Sequence, residues 1–218
     1  MLQHGLMAKL PPVLSTDDLA LAELCAARID GELVVIDEAW APVDEPDLPS
    51  LRASAIGLRA PRTLVIERFS AAWVHDAIPA PPHVAQFCVS RTSRVAVISA
   101  PRLVIREVSI SDADIIDFRH ARCTTVARTG FDLLREPGHA DPRPERVVAE
   151  LCARQPLLID ELRARFAGAV RMPHRALALE RLARIEAGQT LRHPVGDARQ
   201  LPAPAQPSLR PAQPSLTR

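Results

Sequence analysis

Lysine is nearly missing from this sequence, glycine is scarce, and no apolar run is long. Lys9 is the single lysine among 27 cations, so the other 26 are arginine. A metal-dependent nuclease core of separated acids followed by E-x-K needs a lysine in a β-rich region, and Lys9 stands before any such strand. Arginine suits bidentate phosphate binding, but GC-rich coding also explains its excess, in keeping with the abundant Ala and Pro. No charge-free apolar stretch approaches the roughly eighteen residues that cross a bilayer, which excludes an integral membrane protein. The chain contains no G-x-G-x-x-G, P-loop, H-E-x-x-H or G-x-S-x-G, the signatures of dinucleotide, nucleotide, zinc-protease and hydrolase sites. Cys25, Cys88, Cys123 and Cys152 lie far apart without a C-x-x-C pair. They read as buried small hydrophobes, and neither a metal nor another cofactor is implied. The apolar start Met1 to Leu14 is interrupted by Lys9, Pro11 and Pro12 and lacks a small-residue cleavage site, so the reading is cytoplasmic.

What is present is a globular composition: 218 residues, 47% apolar and 24% charged, enough for one substantial core or two small ones. The net charge of +1 hides an uneven distribution. Residues 1–60 hold four cations and ten carboxylates, net −6, whereas 61–135 are net +3 and 136–200 net +2. Nucleic acid is repelled by the first segment and weakly attracted by the rest.

The front opens on Ser15-Thr16-Asp17-Asp18, a capping-box-like start for a helix to about Arg28, with Leu19, Ala22, Cys25 or Ala26, and Ile29 at helical spacing. Asp30-Gly31 turns into the β-rich run Leu33 to Ile36; Ala41 to Pro49 reads as a loop and Leu51 to Leu58 as a helix. Short strands follow at Thr63–Ile66, Val84–Val89, Val95–Ile98 and Leu103–Ile110, implying an antiparallel or mixed sheet. Between the first two lies a helix from Ser70 to Ile78, with Ser70 as its cap and Phe69 and Val74 at staple positions. Another helix, capped by Thr125, runs from Val126 to Arg135 and sets Arg128 one turn from Asp132. After the Pro-rich linker Glu136–Pro144 come helices near Glu145–Ala153, Leu157–Ala167 and Pro173–Ala187, with Gly168 and Gly188 as stops. The tail from His193, with Ala-Gln-Pro-Ser-Leu at 205–209 and again at 212–216, is too poor in core residues to fold. The fold class is α+β, in four segments: 1–60, a degenerate winged-helix-like front; 61–135, a small mixed or antiparallel sheet with helices; 136–192, helical; and 193–218, a disordered Pro-rich tail.

Candidate chemistry is sparse. Asp112-x-Asp114 has the spacing with which nucleotidyltransferases hold magnesium, but the Gly-Ser motif expected upstream is missing, and Ser111-Asp112 also fits a turn or cap. His75 with Asp76, or Ser70 with His75, lacks a third orienting group. The densest cationic stretch is Arg163, Arg165, Arg171, Arg175, Arg181 and Arg184, where successive helices can set arginines on phosphates or simply present a solvated surface.

Three segments carry a resemblance: Arg68-Phe69-Ser70-Ala71-Ala72-Trp73-Val74-His75, Val104-Ile105-Arg106-Glu107-Val108, and Thr124 to Leu134 with Arg128, Thr129, Asp132 and Leu133. Together they resemble the AbiEi family, antitoxins and transcriptional regulators of type IV toxin-antitoxin systems, whose helices show S-A-A-W-x-H and T-x-x-x-R-T-x-x-D-L. Over roughly residues 60–186, the resemblance implies a protein without catalytic activity. It implies a winged-helix front that binds promoter DNA and a rear that neutralises a nucleotidyltransferase toxin, without stable contact. Ser70, Trp73, His75, Arg128, Thr129 and Asp132 are then structural motif residues. This front departs from the pattern in showing one helix before its β-run and a net charge of the wrong sign for phosphate. The leading reading is an AbiEi-like antitoxin or DNA-binding regulator. The alternatives are a protein-interaction module without DNA binding and a magnesium-dependent nucleotidyltransferase using Asp112 and Asp114.

Overall fold

The computed structural model describes residues 11–93, 101–138, 140–168 and 172–192. The strand expected at Val95–Ile98, Arg171 and the tail from His193 lie outside the described residues. Among the described residues the fold is α+β, with seven helices, a two-stranded antiparallel sheet, a five-stranded mixed sheet and a helical C-terminal region.

At the front, α1 (Leu21–Ile29) precedes the hairpin β1 (Leu33–Ile36) and β2 (Ala39–Pro42), and Leu14 bridges to Trp40 beside it. Gly31, at φ 78°, makes the expected turn after α1 in a conformation that glycine tolerates without steric cost. The helix begins later than Ser15 implied. Ser15 and Asp18 instead close a separate turn, the Asp18 carboxylate accepting from the Ser15 N–H at 2.8 Å, and Glu23 accepts from the N–H of Ala20 at the true start. Strand β2 falls partly in the stretch read as a loop. Only Leu24 of α1 is buried; with Leu14 and Leu33 it forms a small satellite core. Leu21, Cys25 and Ile29 stay exposed, so Cys25 corrects the expectation of four buried cysteines.

Helix α2 (Pro49–Gly57) leads to β3 (Val65–Ile66), α3 (Arg68–Val74), β4 (Ala85–Ser90) and β5 (Leu103–Val108). A 3-10 turn (Asp112–Asp114) then opens the hairpin β6 (Ile115–Asp117) and β7 (Arg122–Thr124), neither strand read from sequence. The sheet order is β5-β4-β3-β7-β6, with β3/β7 and β4/β5 parallel and β3/β4 and β6/β7 antiparallel. Ser70 is inside α3 and fully buried, so it does not cap; it accepts from the Gln86 N–H at 2.9 Å and ties α3 to β4.

The last four helices are α4 (Val126–Leu134), α5 (Arg143–Arg154), α6 (Leu158–Gly168) and α7 (Arg175–Arg192). Thr125 caps α4 as expected, its hydroxyl accepting from the Arg128 N–H at 3.2 Å. Helix α7 continues through Gly188, expected as a stop, to Arg192, and the residues just after Gly168 lie outside the described ones. One apolar cluster joins Ile66, Phe87 and Cys123 of the sheet to α2, to Trp73 and Val74 of α3 and to Ala39 and Ala41 of the hairpin, so it crosses position 60. A second joins Ala72 of α3 to α4, α5, α6 and α7, crossing position 135. Helix α3 thus belongs to both.

Gly57 lets the β6–β7 turn approach α2: a Cβ there would lie 2.8 Å from that of Ala121. Gly57→Ala is expected to lower stability by about 1–3 kcal/mol through overpacking. Gly188→Ala, in a helix interior with nothing within 4 Å of the added methyl, raises it by about 1 kcal/mol. Urea unfolding of both variants checks the opposite signs.

Candidate functional site

The resemblance segments converge on a buried polar seam between the sheet and α4. Glu67, directly after β3, is fully buried and receives a two-pronged hydrogen bond from Arg106 of β5, Nε at 2.7 Å and Nη2 at 2.6 Å. Arg68 donates to Glu67 at 3.1 Å and to Glu136, beyond α4, at 2.7 Å. These contacts hold Arg68 at φ 47°, a left-handed conformation that costs a non-glycine residue about 1 kcal/mol. One turn apart in α4, Arg128 Nε donates to Asp132 at 2.8 Å, the pair read from sequence. The same guanidinium donates to Asp114 at 3.0 Å, and Arg165 from α6 reaches Asp114 at 2.7 Å. Strand β5, helices α3, α4 and α6 and the 3-10 turn thus meet on four carboxylates, Glu67, Glu136, Asp132 and Asp114.

Burial raises the Glu67 carboxyl above its ordinary range, against the pull of Arg106 and Arg68. For Asp114, burial works in the same upward direction, but the hydrogen bonds and charges of Arg165 and Arg128 outweigh it and leave the carboxyl below 3.8. Arg135 stands 5.0 Å over the ring of Phe131, and its Nε is buried with no hydrogen-bond partner.

The motif residues are structural here. His75 lies at the end of α3, and its Nε2–H donates to the Thr124 carbonyl at 2.7 Å; burial holds its pKa down. Thr129 and Thr124 exchange a hydroxyl hydrogen bond at 2.7 Å, both fully buried. Trp73 is buried, with the Arg52 guanidinium 5.6 Å from its ring centre. Neither catalytic pair forms. Ser70 faces β4, His75 faces β7, and Asp76 is held by Arg52 and Arg154 at 2.7 and 2.6 Å. Of the two carboxylates with magnesium-like spacing, Asp112 is exposed, whereas both oxygens of Asp114 are engaged by arginines. Among the described residues, no three His, Cys, Asp or Glu side chains cluster as metal ligands.

The described arginines of the candidate nucleic-acid stretch all make contacts within the chain. Arg181 is 1% exposed and donates to the carbonyls of Leu134, Glu136 and Gly138 at 3.0, 2.8 and 2.6 Å. It caps the C-terminal end of α4, which corrects its assignment to phosphate. Arg163 pairs with Asp160 and Glu186, Arg165 with Asp114 and Glu161, and Arg184 with Glu145. Arg175 donates to the Phe166 carbonyl at 3.1 Å. Between 163 and 184 the sequence shows only Glu180 as an opposing charge, because Asp160 and Glu161 stand just before that stretch in α6 and Asp114, Glu145 and Glu186 come from elsewhere in the chain.

Sequence reading missed a different cationic group. Arg119, His120 and Arg122 lie at the β6–β7 hairpin, and Arg62 joins them through Asp117 at 2.5 Å and the Phe118 carbonyl at 3.2 Å. The run Arg119-His120-Ala121-Arg122 was visible as a signal, but without β6 and β7 it had no shape. A groove of about 910 Å³ lies elsewhere, between the loop after α3 and α5, with Phe69, Ile78 and Val147 against Arg146, Glu150 and Arg154.

Arg181→Ala, which strands three carbonyls, is expected to cost about 3 kcal/mol, while exposed Arg163→Ala stays within about 0.5 kcal/mol of wild type in urea unfolding. Because the folded Asp114 carboxyl titrates below 3.8, its contribution is complete above that pH and disappears as the pH falls through the folded value. The stability gap between wild type and Asp114→Asn is therefore wide at neutral pH and closes in acid, as denaturant titrations across pH will show. Among known proteins, no family model and no curated sequence matches this chain.

Proposed function

We propose that the chain is an AbiEi-like antitoxin or transcriptional regulator, acting in the cytoplasm by recognising promoter DNA and counteracting a nucleotidyltransferase toxin. The observation that carries the reading is the convergence of the three resemblance segments. Arg68 and Arg106 meet on Glu67, and Arg106 Nη2 also lies 3.9 Å from Asp132 of the third segment, although the segments are separated by dozens of residues. Their shared residue types are explained by one seam that holds the sheet against α4, a scaffold role rather than a reacting one.

A second reading, a protein-interaction module without DNA binding, is favoured by α1. Leu21 is 56% and Ile29 84% exposed, with exposed Cys25 between them at helical spacing, and Asp17, Asp30 and Glu32 are exposed nearby. That surface is apolar and acidic, opposite to what phosphate contact requires.

The two readings separate in a gel-retardation assay on the chain's own upstream DNA. The regulator reading expects retardation at low salt that falls steeply as salt rises. No retardation at low salt removes that half. The antitoxin half expects co-expression to restore growth arrested by a nucleotidyltransferase encoded in the neighbouring reading frame, and unrelieved arrest removes it.

A further inference from the structure

We propose that the tip of the β6–β7 hairpin, formed by Arg119, His120 and Arg122, contacts the phosphate backbone of duplex DNA. The proposal rests on the DNA-binding half of the function above. It places the contact on a surface distinct from both α1 and the arginine-rich C-terminal helices.

The turn is held from inside. The Phe118 N–H donates to the Ala121 carbonyl at 2.8 Å, Phe118 packs against the main core, and Ala121 is 3% exposed. Gly57 admits Ala121 against the end of α2, and Arg62 donates to the Phe118 carbonyl at 3.2 Å. With residues 118 and 121 anchored inward, Arg119 and His120 are left exposed between them. Arg62, His120 and Arg122 line a single shallow dimple beside the turn. A backbone fixed in this way loses little conformational entropy when it engages a ligand.

Charge distinguishes this tip from the other arginines. Arg119 and Arg122 make no ion pair among the described residues, and the acid at the tip, Asp117, shares a surface pair with Arg62 in which both side chains are more than half exposed. Arg163, Arg165 and Arg184, by contrast, already face carboxylates, and a phosphate would have to displace these. Contacts of arginine with phosphate position a protein without reading bases, so the contribution is sequence-independent.

The test measures fluorescence anisotropy of the full chain with two labelled duplexes, its own upstream region and an unrelated sequence of equal length, over a salt series. Replacing Arg119 and Arg122 together by Gln is expected to weaken both complexes at least about tenfold at low salt and to reduce the slope of log affinity against log salt by about 2. Arg163→Ala and Arg184→Ala leave affinity and slope unchanged, and an unaltered urea midpoint shows that the hairpin variant is folded. Wild-type slope and affinity in the double variant overturn the hairpin proposal while leaving the regulator reading in place. No binding by the wild-type chain overturns both, and preference for single-stranded RNA over either duplex overturns the assignment to DNA.

Discussion

Asp132 is 4% exposed, and a carboxylate so far from water is costly to bury unless cations and donors surround it. Arg128 meets that need from one turn away, and Arg135 and Arg106 approach at 3.6 and 3.9 Å. Arg128 also requires acceptors of its own and takes Asp114, which in turn takes Arg165 from α6. The requirement to satisfy each buried charge thereby fixes how α4 lies against the sheet and how α6 lies against α4. Burial of this kind is weak evidence for added stability, but an arrangement with one partner out of place leaves an uncompensated charge, and that penalty selects a single packing.

Helix α3 transmits this constraint forward. Its Ala72 belongs to the helical cluster, whereas its Ala71, Trp73 and Val74 belong to the core that joins the sheet, α2 and the front hairpin. Ser70 fastens it to β4 and His75 to the carbonyl of Thr124, immediately before the capped start of α4. The residues that carry the family resemblance are thus those that hold two apolar cores at a fixed relation. A scaffold of this kind can be shared among proteins whose surfaces do different things.

The surfaces divide by charge. The front presents an apolar row amid acids, the C-terminal helices present arginines already answered by carboxylates, and the β6–β7 tip presents arginines without such partners. Under the proposed function, the charges that remain after internal pairing are those open to a partner. Counting arginines along the chain does not show which are free, since Arg181 directs its three donations to the backbone at the end of α4.

Local signals were sufficient for much of the fold. Thr125 with its cap, the Arg128–Asp132 spacing, the Asp30-Gly31 turn and the β-rich runs Thr63–Ile66 and Leu103–Ile110 act over a few residues, and the structure shows the first three and forms a shorter strand, 65–66 and 103–108, inside each run. Strands β6 and β7 were not legible, because three-residue strands carry too little pattern of their own and exist through pairing with each other and with β3. The same reason hid the polar seam and the hairpin group. Glu67 and Arg106 lie 39 positions apart and Arg62 and Asp117 55 apart, so which charges neutralise which was decided by tertiary contact. Sequence determined the elements whose energetics are local; the partners of its arginines, and with them the surface left to bind, came only from the way distant segments pack.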